Sequence, residues 1–263
     1  MIIVDFDPVI VSFGVVQLHW YGMMYLCAFA TAYLLGMYRA KQPNSVLNQE
    51  QVSDLIFYAI LGAVIGGRLG YVLFYNLSSY MDSPLSIFKV WEGGMSFHGG
   101  LLGVCAVFWF YGRYLKKGFF AMADFAAPLV PLGLGFGRLG NFINGELWGS
   151  PSDLPWAMIF PSGGQIARHP SQLYEALLEG VLLFVIVWLY SRKPRATMSV
   201  SGVFLVGYGI FRFMIEFVRL PDKQLGYLWD NWLTMGHLLS LPMILFGVFL
   251  LLLAKRQAIK DHK

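Results

Sequence analysis

Charge is scarce in these 263 residues: Asp, Glu, Lys and Arg together make up 13% of the chain, about half the share of an ordinary soluble domain. That speaks against a water-solvated globule. Cysteine is nearly absent too. Cys27 and Cys105 lie inside apolar runs with no C-x-x-C spacing, so neither a disulfide framework nor a zinc site is indicated. No H-E-x-x-H, no phosphate-binding G-x-x-x-x-G-K and no repeated acidic pair occurs, so any chemistry here is expected to need no metal and no cofactor. Short segments alternating polar and apolar residues, the mark of outer-membrane strands, are missing as well. No Ser-, Gly- or charge-rich linker divides the chain, and residues 1–263 read as one membrane-embedded domain. The stretch from Met1 to Ser12 contains no basic residue and so lacks the n-region of a cleavable signal, which leaves the first span in the mature protein.

What the chain has in abundance is apolar surface: 57% hydrophobic residues, with 22 Phe, 14 Tyr and 8 Trp. Leu18 to Tyr38 carries no Asp, Glu, Lys or Arg and is long enough to cross a hydrocarbon core at about 1.5 Å per residue. Six further candidates are Leu55 to Phe74, Met95 to Tyr111, Phe119 to Phe142, Leu173 to Tyr190, Val203 to Val218 and Leu238 to Ala254. The expected fold is therefore all-α and polytopic, with seven transmembrane helices and small extracytoplasmic loop elements.

The formal charge of +4 does not point to nucleic acid, because the basic residues cluster between apolar stretches instead of lining one face. Most fall on alternate loops: Arg39 and Lys41; Arg113, Lys116 and Lys117; Arg192, Lys193 and Arg195; Lys255, Arg256, Lys260 and Lys263. The opposite side has only Lys89, Arg168, Arg219 and Lys223. The positive-inside rule then sets the N-terminus outside and the C-terminus in the cytoplasm. The outward stretches Asn76 to Gly94, Gly145 to Gln172 and Arg219 to Gly236 are the longer ones, so the working surface is expected to face outward.

Three arginines stay inside the apolar segments: Arg68, Arg138 and Arg212. Each costs about 2.5 to 3.5 kcal/mol at a helix centre, so each needs a partner in a polar interior. A single one is as readily a snorkelling or ion-paired structural residue; three together favour a site for an anionic headgroup, since a guanidinium grips phosphate at two points and stays charged. Tyr208, Arg212 and Glu216 follow one another at intervals of four, on one helix face, where Arg212 and Glu216 can pair. That pair either neutralises itself or aims the guanidinium at a ligand. Gly137 to Gly149 is the densest polar and glycine stretch, with Arg138 and Asn141 three apart. His98, in Ser96-Phe97-His98-Gly99-Gly100, is a candidate proton acceptor, because an unperturbed imidazole titrates near neutral pH, although an interfacial histidine is more often structural. His19 sits in an aromatic belt, His169 precedes a helix start with Ser171 as the expected N-cap, and His237 and His262 carry no local motif.

Together these stretches resemble one family, the bacterial prolipoprotein diacylglyceryl transferases. The resemblance rests on Gly137 to Gly149 and is supported by His19-Trp20-Tyr21-Gly22, Gly66-Gly67-Arg68, Gly94 to Gly100, Arg168 to Glu175, and Gly207-Tyr208-Gly209 with Arg212 and Glu216. It implies transfer of the diacylglyceryl group of phosphatidylglycerol to the lipobox cysteine of a prolipoprotein signal peptide, at the outer face of the bacterial inner membrane. It further implies His98 as the base toward the thiol, and Arg138 and Arg212 as the cations that stabilise the departing phosphate. Tyr21, Asn141, Asn144, Glu146, Gly149, Tyr208 and Glu216 would bind and orient the lipid, with Arg68 an additional contact. A carrier or flippase of anionic lipid, which gives His98 no task, and a structural protein with ion-paired helices, whose polar residues would matter for folding and not turnover, are the competing readings.

Overall fold

The computed structural model describes residues 2–14, 16–89, 91, 93–221, 226–230 and 232–261. Lys223, His262 and Lys263, which entered the charge and histidine arguments, lie outside the described residues. The chain divides into two compact units, one made of Met1–Leu35 and Ala126–Lys263, the other of Gly36–Phe125.

In the first unit a hairpin of β2 (Val9–Phe13) and β3 (Val16–His19) turns at Gly14, whose φ of 62° suits glycine. It hands the chain to α1 (Trp20–Ala40). The strand claims Leu18 and His19, which is why the first helix begins two residues later than the apolar run does. A small sheet in the order β1 (Ile2–Ile3), β4 (Met158–Ile159), β5 (Ala167–Arg168) gathers the 145–170 connection, β1 parallel to β4 and β5 antiparallel to it. The remaining helices are α6 (Val130–Ile143), α7 (Ser171–Glu175), α8 (Leu183–Ser191), α9 (Ser199–Glu216) and α10 (Met235–Asp261). A core of Ala127, Leu183, Val187 and Val200, flanked by Phe204, Tyr208 and Phe211, ties α8 to α9.

Between α7 and α8 the helix widens into a π-helical stretch, Ala176–Leu182, without breaking. Such an inserted residue re-aims the side chains around it and recurs at functional sites. Here Gly180 rests on Gly135 of α6: a Cβ added at Gly180 would lie 2.8 Å from the Gly135 Cα. This close crossing brings the acidic face of one helix to Arg138 on the other.

The second unit contains α2 (Gln49–Tyr75), α3 (Leu77–Asp82) and α4 (Phe97–Tyr114), with most of α5 (Phe119–Ala126). Helix α2 opens on a capping box: Asn48 Oδ1 accepts from the Gln51 N–H at 2.8 Å, and Gln51 Oε1 from the Asn48 N–H at 3.2 Å. Gly62, Gly66 and Gly70 then face Gly99 and Gly103 so closely that a Cβ on Gly103 would clash with the Gly62 carbonyl oxygen. Small residues at helical spacing give that approach in a membrane.

Among the described residues, five helical segments are long and apolar enough to span: Gln49–Tyr75, Phe119–Ile143, Ser171–Ser191, Ser199–Glu216 and Met235–Lys260. The chain is thus a mostly helical, multi-pass membrane protein. Helices α1 and α4 coincide with the other two expected spans, but their tyrosines and glycines dilute the hydropathy. The expected Ser171 cap is not formed. Ser171 is the first residue inside α7, and its hydroxyl instead donates to the Leu147 carbonyl at 3.0 Å, tying the helix to the Gly137 to Gly149 stretch.

Candidate active site

Arg138 enters from α6 and Arg212 from α9, and both reach the same oxygen. Glu175 Oε2 lies 2.5 Å from Arg138 Nε and 3.5 Å from Arg212 Nη1. The Arg212 to Glu216 pair expected from the spacing is present, Nη2 to Oε2 at 2.8 Å. Two more charged groups complete the cluster. Arg219 Nε is 3.8 Å from Glu175 Oε1 and its Nη1 is 3.9 Å from Glu216 Oε2, while Glu179 Oε2 is 3.9 Å from Arg138 Nη2. Glu175 and Glu179 are wholly buried, a position that ionised carboxylates hold only when paired. Tyr208 stacks on Phe204 with its ring 12° from parallel, inside the field of Glu179, Arg212 and Arg138.

Glu216 is held from behind by the start of α10. Thr234 Oγ1 donates to Glu216 Oε1 at 2.8 Å, and His237 Nδ1 lies 3.1 Å from that same hydroxyl. A Cβ on Gly236 would run into the Glu216 carboxylate and turn it aside from its present place. His237 is packed among Phe213, Phe217 and Trp232.

The Gly137 to Gly149 stretch continues the site along α6 into the loop that follows. Asn141 Nδ2 donates to Glu146 Oε1 at 2.8 Å and Asn144 Nδ2 to the same oxygen at 3.4 Å, which orients an exposed carboxylate. Gln172 Nε2 donates to the Glu146 carbonyl at 2.7 Å. Tyr21 joins this group: its ring lies on Gly140, where a Cβ would come within 2.8 Å of Cδ2, and its hydroxyl bonds to Tyr25 at 3.3 Å and to Asn141. Gly149 has a packing reason to be glycine. Its N–H donates to the His169 carbonyl at 2.9 Å, and a Cβ would strike the Val218 carbonyl oxygen at 2.6 Å. A glycine at this position lets three backbone segments cross. Beside it, burial holds His169 below the usual histidine range.

The other unit carries His98 and Arg68. His98 is exposed on the first turn of α4, edge-on to Phe97, and the Ser96 hydroxyl caps that helix by accepting from the Gly99 N–H at 3.2 Å. Arg68 is buried in α2. Its N–H groups go to backbone carbonyls: Nε to Ile87 at 2.9 Å, Nη1 to Gly93 at 2.5 Å and Gly94 at 3.2 Å, Nη2 to Ser86 at 2.6 Å and Lys89 at 3.0 Å. A guanidinium has five N–H donors, and none remains for a phosphate.

The family profile for prolipoprotein diacylglyceryl transferase matches residues 8–253. The chain belongs to this family. Among similar curated proteins is a phosphatidylglycerol--prolipoprotein diacylglyceryl transferase of Solidesulfovibrio magneticus, 62% identical over 249 residues and covering 94% of each chain. One of the same name from Pseudomonas aeruginosa is 58% identical over 251 residues, 95% of this chain and 94% of the relative. The family match takes in every residue singled out above, from Tyr21 to His237. Glu175, Glu179, Arg219, Thr234 and Gly236 are not among the site residues expected from the sequence, although Glu175 and Arg219 fall in stretches it singles out. The signal for the two glutamates was available: an acid inside an apolar span needs a partner as much as an arginine does.

Proposed function

We propose that this chain transfers the sn-1,2-diacylglyceryl group of phosphatidylglycerol to the thiol of the lipobox cysteine of prolipoproteins. The names of its relatives support both substrates. The cysteine sulfur forms a thioether bond to the glyceryl carbon, the bond from that carbon to the phosphate oxygen breaks, and glycerol 1-phosphate leaves with the electron pair. The thiol proton passes to a base. We assign that base to His98, since only a few per cent of a free thiol is ionised at neutral pH. Negative charge gathers on the leaving phosphate, and Arg138 and Arg212 are the groups assigned to stabilise it in a medium of low dielectric. The observation that carries this reading is their convergence on one oxygen of Glu175 from two separate helices. Cations so placed lie close enough to share one anion. Tyr21, Asn141, Asn144, Glu146, Tyr208 and Glu216 orient the headgroup and glycerol, and Gly149 shapes the backbone around them.

With α1 and α4 added to the five segments that are long and apolar enough to span, the chain crosses the inner membrane seven times, N-terminus outside and C-terminus in the cytoplasm. The polar site then faces the outer leaflet, and residues 1–263 act as one transferase domain. The acyl chains stay in the bilayer throughout. Purified protein is incubated with labelled phosphatidylglycerol and a lipobox peptide. A peptide carrying a diacylglyceryl thioether supports the reading; label that moves between leaflets without reaching the peptide favours a carrier and rejects it.

A further inference from the structure

Arg68 lies in α2 and is 4% exposed. Its five carbonyl partners, Ser86, Ile87, Lys89, Gly93 and Gly94, all lie between α3 and α4, in residues 86–89 and 93–94. The face of the guanidinium lies 5.2 Å from the centre of the Tyr80 ring. The chain passes so near that a Cβ on Gly94, whose φ is 77°, would come within 2.9 Å of Arg68 Nη1. Immediately afterwards the neighbouring residue on α2 takes over, the Gly67 carbonyl accepting from the Ser96 N–H at 2.9 Å. Ser96 then caps α4 through the Gly99 N–H. His98 therefore stands on a helical turn whose approach is fixed at successive points by Arg68, Gly67 and Ser96.

We propose that Arg68 is a positioning residue for His98: it anchors residues 86–89 and 93–94, and thereby the first turn of α4, and does not contact the phospholipid. A planar fork is needed for this. Acceptors spread over the whole edge of a guanidinium cannot all be reached by the three donors of an ammonium. The role in turnover rests on the reading of His98 as the base, whereas the anchoring itself does not.

The test compares Arg68→Lys, His98→Gln and the double variant in the transfer assay, with kcat and KM for phosphatidylglycerol measured separately, and follows tryptic cleavage after Lys89 in each folded protein. Expected for Arg68→Lys are a kcat lowered by about tenfold, since a misplaced base loses much of its typical advantage, a KM within about twofold of wild type, and faster cleavage at Lys89. The double variant should be no slower than His98→Gln alone. A raised KM at unchanged kcat, or losses that multiply in the double variant, overturns the positioning role; unchanged cleavage at Lys89 overturns the anchor. A fully active His98→Gln removes the reading of His98 and leaves the anchor to be judged by cleavage alone. Should Arg68→Lys not accumulate, Ser96→Ala takes its place: a lower kcat that disappears in the His98→Gln background supports the account, and full activity contradicts it.

Discussion

Arg138 and Arg212 show how much a pair of residues gains from its surroundings. Each cation is held by buried acid, so its geometry is fixed before any lipid phosphate arrives. Arg138→Lys keeps the charge and loses the planar grip, and turnover should fall about tenfold or more, from the roughly 1.5 to 3 kcal/mol carried by a charge-assisted hydrogen bond. Arg212→Lys should lose less, because Glu216, itself held by Thr234 and Gly236, still fixes the ammonium. Steady-state kinetics on folded protein checks both, and near-normal turnover in Arg138→Lys would reduce that arginine to a structural part. His98→Gln tests the proton step. It should slow turnover by about 100- to 10,000-fold near neutral pH. The defect should shrink as the pH rises toward the thiol's own pKa of about 8.5, where solution supplies the thiolate. A deficit that stays constant from pH 6 to 9 would exclude the base role.

At the scale of elements, the apolar runs and glycine spacing are legible in the sequence, and so is the i, i+4 pair of Arg212 and Glu216, because each depends on neighbours within one helix. The Glu175 cluster is not, since it depends on where α6, α7 and α9 cross. The π-helical stretch at 176–182 leaves no periodic signature either, and the hydroxyl of Ser171 satisfies a distant carbonyl instead of its own helix start. Arg68 belongs to the same class: its sequence context suggests an anion, and only the path of residues 86–89 and 93–94 reveals the five carbonyls. The α2 to α4 crossing is the element most exposed to a single change. Gly103→Ala places a methyl against the Gly62 backbone, which cannot move aside as a flexible side chain would. Overpacking of this kind costs about 1 to 3 kcal/mol, so the thermal midpoint in detergent should fall, while the same change at Gly137, with open space around it, should leave the midpoint nearly unmoved.

For the whole molecule, the proposed orientation rests on the uneven distribution of Lys and Arg. A reporter that works only in the cytoplasm should be active when fused after Lys263, and a periplasmic reporter at that point should be silent; the reverse pattern in an active fusion would invert the topology. Sidedness matters because the lipobox cysteine and the headgroup must meet the same face. The most direct measurement of the central claim follows both products of one reaction in vesicles of phosphatidylglycerol: the mass gained by a lipobox peptide and the glycerol 1-phosphate released. Diacylglyceryl transfer predicts equal amounts of the two, rising together and falling together in Arg138→Lys. Glycerol 1-phosphate without modified peptide, or modified peptide without it, would contradict the transfer.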